Sequence, residues 1–119
     1  MSDTAKIAET IDFEDFLKVD VRVSTVVACD PFPEARKPAY KLEIDFGATI
    51  GIKNSSVQVT DLYLPTDLVG RQVAVVVNFL PRQIGPFMSE VLTLDFANDD
   101  GAVALVSVAP SVTNGERLF

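Results

Sequence analysis

Between residues 39 and 47 the chain reads AYKLEIDFG, and apolar and polar residues alternate without a break. Tyr40, Leu42, Ile44 and Phe46 fall on one side; Lys41, Glu43 and Asp45 fall on the other. A period of two belongs to a β-strand with one face in a core and one in water. The pattern recurs. Val19, Val21 and Val23 alternate with Asp20, Arg22 and Ser24. RQVAVVVNF, from Arg71, is apolar on both faces and predicts a strand covered on both sides. IGIKNSSVQVT, SEVLTLDFA and AVALVSV add further strands, with NDDG at 98–101 as a hairpin turn. Gly51 marks a bulge or sharp bend in the third strand. Prolines at 31, 33 and 38 make 30–38 a loop.

Two short helices interrupt this β-rich order. Phe13, Phe16 and Leu17 share a helical face after Asp12, a suitable N-cap, with Ile11 placed to staple on Phe16. This predicts a helix over 12–18. DLYLPTDLVG predicts a short helical turn between strands three and four, stopped at Gly70. Residues 1–9 read as a flexible lead-in, and 10–119 as one domain. An all-β-dominated chain with five or six strands, a leading helix and a helical turn after the third strand fits a Greek-key β-barrel of the OB-fold plan.

Composition restricts the chemistry. The 119 residues include no His and one cysteine, Cys29. The usual general base, His-based triads and most zinc sites are therefore ruled out. Cys29 has no partner for a disulfide and no imidazole to activate it. The pairs Glu14/Asp15 and Asp99/Asp100 sit where a helix start and a turn want acids. No phosphate loop or nucleophile elbow is present. No cofactor is expected. No apolar run is long enough to span a bilayer, so no membrane insertion is expected, and the start lacks the form of a signal peptide. The expectation is a cytoplasmic protein.

Net charge is −7, which counts against a nucleic-acid binder. The charge is uneven: residues 1–30 and 91–119 are acidic, and only 31–90 is balanced. Arg36, Lys37, Lys41, Lys53 and Arg82 lie in that middle part, in loops and strands that flank an OB-fold ligand face. The connection NFLPRQIGPFMSEVL at 78–92 is the other anomaly. Phe79, Leu80, Ile84, Phe87 and Met88 are more apolar bulk than a turn needs. They close the barrel end, meet a partner or capture a ligand. Phe32, in the first loop, and Leu118-Phe119, at the terminus, share that reading.

FEDFLKVDVRV at 13–23, FPEARKPAYKLEIDFG at 32–47, IGIKNSSVQVT at 50–60, NFLPRQIGPFMSEVL at 78–92 and the ending VTNGERLF together resemble the CsaA family of bacterial export-related chaperones. The resemblance covers residues 10–119. It implies a non-enzymatic homodimer of an OB-fold domain similar to the tRNA-binding domains appended to some aminoacyl-tRNA synthetases. Implied partners are a second copy, unfolded or precursor polypeptides, the SecA translocase and tRNA. The implied peptide-binding or dimer surface is Phe32, Phe79, Ile84, Phe87 and Met88. The implied tRNA-binding set is Arg36, Lys37, Lys41, Lys53, Asn54, Arg82 and Ser89. Two positions depart from the wider pattern. Asn54 stands where a second lysine is frequent, and Ser89-Glu90-Val91-Leu92 keeps only the serine of Ser-x-Gly-Met.

Overall fold

The alternating segment forms β2 (Tyr40–Asp45), and its apolar side lies in the core, with Leu42, Ile44 and Phe46 fully buried. This is a computed structural model, and it describes residues 6–119. The first five residues of the expected lead-in lie outside the described residues; Lys6 to Glu9 are exposed and belong to no helix or strand. β2 pairs with β1 (Val21–Pro31) and β3 (Ile52–Val57), all antiparallel. β1 also pairs with β4 (Gln72–Val76), and β4 with β7 (Leu92–Thr93). The sheet order is therefore β3-β2-β1-β4-β7, the OB-fold arrangement. β1 serves two partners because its first half faces β4 and its second half faces β2, with a register shift between Val26 and Ala28.

α1 (Phe13–Phe16) and α2 (Pro65–Leu68) occupy the two expected helical places, each as a single turn. At α1 the Asp12 N–H donates to the Asp15 carboxylate at 3.3 Å. The apolar face of α1 finds no cover: Ile11, Phe13 and Leu17 are all exposed. α2 instead buries Leu68 in the core, and Arg71 behind it lies over the Tyr63 ring.

The structure differs from the expected strand map in three places. β1 runs on through Asp30 to Pro31, so the loop begins only at Phe32. The single expected strand SEVLTLDFA divides into β7 and β8 (Asp95–Ala97), and β8 turns through 98–101 into β9 (Val103–Leu105). The long connection 78–92 contains a hairpin of its own, β5 (Arg82–Ile84) and β6 (Phe87–Ser89).

The two faces of β1 do separate work. Ser24 and Val26 point into the core with Val73 and Val75, while Val21 and Val23 line an apolar groove of about 470 Å³ with Ala74, Val106 and Leu118. The C-terminal segment roofs this groove by adding along the open edge of β1. Gly115 N–H donates to Val23 O at 2.8 Å, Val23 N–H to Glu116 O at 3.0 Å, and Leu118 N–H to Val21 O at 2.8 Å. Gly115 is required there: its φ is +94°, and a Cβ would sit 2.6 Å from the Phe46 carbonyl oxygen.

Candidate functional site

The barrel closes along a seam between β3 and residues 89–91. Glu90 N–H donates to Asn54 O at 2.8 Å, and Asn54 N–H returns a bond to the Glu90 carboxylate at 2.9 Å. Ser56 N–H donates to the Ser89 hydroxyl at 3.0 Å. Inside the seam, the Ser55 and Thr93 hydroxyls lie 2.9 Å apart. Ser89 is thus buried and engaged in closure.

The β5–β6 hairpin stands on this seam. Its turn is Gly85-Pro86, and Gly85 takes the positive φ (+54°) that the first position of a tight hairpin turn favours. Alternation sorts its side chains. Arg82, Ile84, Phe87 and Ser89 share the face towards the barrel, and Gln83 and Met88 share the opposite one. Ile84 and Phe87 are half-buried. Phe87 meets Phe32 edge to face at 5.3 Å, and Phe32 is only 3% exposed. The Lys41 ammonium lies over the Phe32 ring, 5.5 Å from its centre. Phe32 therefore pins the hairpin to the 32–39 loop. Phe79 (49%), Leu80 (93%) and Met88 (42%) remain open to solvent.

Two concavities flank the hairpin. The smaller, about 190 Å³, lies against Phe79, Leu80, Arg82, Ser89 and Leu92. The larger, about 460 Å³, brings Arg36, Lys37 and Arg82 together, with Ser56, Gln58 and Asp95 also in its wall. They share Ser56, Arg82, Ile84 and Leu92. A third, of about 270 Å³, continues past Lys37 and Gln58 to Asp61 and Gly101. The three concavities thus adjoin one another across the end of β3, and together they are called the trough.

Three of the five expected cations thus converge. Lys41 stands beside them, opposite Ser56 on the outer face of β2 and β3, and Asn54 shares that face opposite Glu43. Lys53 does not join them: it pairs with core-facing Ile44, so it projects from the other face of the ladder. Tyr40 is buried, and its hydroxyl donates to Tyr63 O at 2.8 Å, so its ring is not offered to a ligand. Sequence reasoning missed Gln58 and Asp95. Alternation gave no signal for Asp95: Ser89, Val91 and Thr93 are buried, whereas Asp95 lies in β8, outside the barrel sheet, and is exposed. Partial desolvation nonetheless raises its pKa. Burial, and Asp30 beside it, push the Cys29 thiol up to about 11, which leaves it a protonated, weakly nucleophilic group at neutral pH.

With this geometry in hand, residues 21–117 match the family model of the putative tRNA-binding domain. The chain belongs to the tRNA-binding-domain family. Among solved structures it is similar to the chaperone CsaA of Bacillus anthracis, with 44% identity and a TM-score of 0.87 over 93% of this chain and all of that one. CsaA of Picrophilus torridus is similar at 43% identity and a TM-score of 0.86, over 92% of this chain and all of the other. Methionine–tRNA ligase of Porphyromonas gingivalis is 37% identical over 114 residues, 96% of this chain but 16% of the ligase. The chain thus spans about a sixth of the length of the curated relatives it matches. Among the described residues no helix is long and apolar enough to cross a membrane.

Proposed function

We propose that this member of the tRNA-binding-domain family is a non-enzymatic homodimeric chaperone of the cytoplasm that holds unfolded or export-destined polypeptides, with the SecA translocase a candidate recipient. The observation that carries this reading is the open apolar surface of Phe79 and Leu80 on the wall of the smaller concavity, with exposed Met88 on the outer face of the same hairpin. Long, unbranched or aromatic side chains at such a surface accommodate varied sequences. The full-length likeness to two CsaA chaperones supports it. Phe32, Ile84 and Phe87 fix the hairpin from beneath. A second copy would cover the exposed face of α1 and the tail residues Leu118 and Phe119. Replacing Phe79 and Met88 by Ser should weaken binding of a permanently unfolded polypeptide about tenfold or more, the cost of losing two apolar anchors. Unchanged binding would reject the surface, and a monomer by sedimentation at micromolar concentration would reject the dimer.

The second reading is a tRNA-binding module, favoured by the convergence of Arg36, Lys37 and Arg82 in one concavity, with Lys41 and Asn54 on the adjoining face. In it, Lys53 would act from the opposite face and Ser89 by holding the seam. Phosphate neutralisation makes affinity fall steeply with salt. A tRNA complex indifferent to salt would exclude this mode.

A further inference from the structure

We infer that Asp95 is a specificity-determining residue of the trough: its carboxylate disfavours polyphosphate ligands and favours polypeptide. This rests on the polypeptide-binding reading above. Arg36, Lys37 and Arg82 would, by themselves, make the large concavity a phosphate site. None of them is spent on an ion pair among the described residues, where the three pairs join Lys18 to Asp15 and Arg22 and Arg117 to Asp20. Asp95 is set in the same wall. It opens β8, two residues beyond buried Thr93, and stands exposed at the rim of the barrel in the wall of that concavity.

The carboxylate is likewise uncommitted among the described residues. No ion pair or side-chain hydrogen bond engages it among the described residues, and it stays open to solvent. A group held so is free to meet a ligand. A roughly spherical space of about 460 Å³ is only about 10 Å across, close to one Debye length in ordinary buffers. A phosphate drawn to the three cations would therefore still feel Asp95, with the interaction cut about threefold by 0.1 M salt and less in 50 mM salt. An extended peptide meets both demands. Its carbonyls accept from Arg36, Lys37 and Arg82, and its N–H groups or a lysine side chain donate to Asp95. The phosphate groups of a nucleic acid present acceptors only. The three adjoining concavities, whose walls run from Phe79 to Gly101, also suit an extended segment.

The test uses the full chain and two charge-matched variants, Asp95→Asn and Asp99→Asn. Asp99 lies in the 98–101 turn and lines none of the three concavities. Both variants remove one negative charge, so a global effect would appear equally in each. The probes are unfractionated tRNA in 50 mM salt and a fluorescent unstructured peptide carrying one lysine. Asp95→Asn should bind tRNA about two- to tenfold tighter than wild type, as one unit charge across such a distance predicts. It should bind the peptide more weakly, and Asp99→Asn should do neither. Equal gains by the two variants, or no gain by Asp95→Asn, including no detectable tRNA binding, would overturn the inference. If the wild type fails to bind peptide while Asp95→Asn still gains tRNA, the polypeptide reading falls and the exclusion of polyphosphate by Asp95 stands.

Discussion

Phe32 is the residue on which the geometry of the hairpin depends, and Phe32→Ala measures that dependence. The ring is 3% exposed, meets Phe87 edge to face at 5.3 Å and has the Lys41 ammonium over it at 5.5 Å. Truncating a buried phenylalanine removes its transfer free energy and leaves a cavity, at a cost of about 3–5 kcal/mol. Roughly 0.5–1.5 kcal/mol of that belongs to the aromatic pair. Domains of this size have about 5–15 kcal/mol in hand, so the variant should still fold. With a urea slope of about 2 kcal/mol per molar, the midpoint should fall by about 2 M. Phe32→Leu keeps most of the apolar volume and should cost only about 1–1.5 kcal/mol. The loss should also be uneven. Amides of Ile84 and Phe87 should exchange much faster in Phe32→Ala, while those of Leu42 and Val75 slow or speed only with global stability. A midpoint shift under about 0.5 M, or uniform loss of protection across hairpin and barrel, would refute the role of Phe32 as the pin.

Two further perturbations test the barrel itself. Ser24 is fully buried, and its hydroxyl has no partner among the described residues, so Ser24→Ala should raise stability by about 1 kcal/mol and the melting temperature by about 3–5 °C; a lower melting temperature would show that the hydroxyl is satisfied. Asp20 bonds to Arg22 at 2.6 Å and lies 3.4 Å from Arg117, and its pKa is lowered chiefly by the Arg22 hydrogen bond. Its contribution is therefore complete above the ordinary value of 3.8 and is lost as pH falls through the lower folded value. Urea midpoints of wild type should drop more steeply below about pH 4 than those of Asp20→Asn, and parallel curves would reject the linkage.

The barrel was legible because its strands follow local rules. Tyr40 to Phe46 alternate, Val73 to Val77 are apolar throughout, and the 98–101 turn bonds as its sequence demands, with Gly101 N–H donating to Asn98 O at 3.0 Å. What stayed hidden depends on contacts made from far along the chain. Nothing local tells that Val21 and Val23 face a groove roofed by the C-terminus while polar Ser24 enters the core. The hairpin was obscured for a different reason. Its strands are three residues long, too short for periodicity to register, and Pro81 and Pro86 argue against pairing. Gly85-Pro86 between Ile84 and Phe87 was the usable signal, a two-residue turn with apolar flanks. Lys53 was grouped with the other cations because distance in sequence ignores faces; the register with Ile44 separates them.

The seam explains how residues associated with a ligand can be retained without touching one. A barrel closed by a long backbone ladder tolerates most side chains at its edge. Here one backbone bond, Glu90 to Asn54, is supplemented by two bonds to side-chain acceptors, the Glu90 carboxylate and the Ser89 hydroxyl. Without Ser89, the Ser56 N–H would lose its acceptor in a half-buried place, at about 1–3 kcal/mol. Ser56 lies in the wall of both concavities, and Arg82 pairs directly with Ser89 across the hairpin. Any shift at Ser89 therefore moves the trough wall and its central cation together. Serine at this position sets the geometry of the proposed ligand surface from inside the barrel, and does so under either proposed reading, polypeptide or nucleic acid.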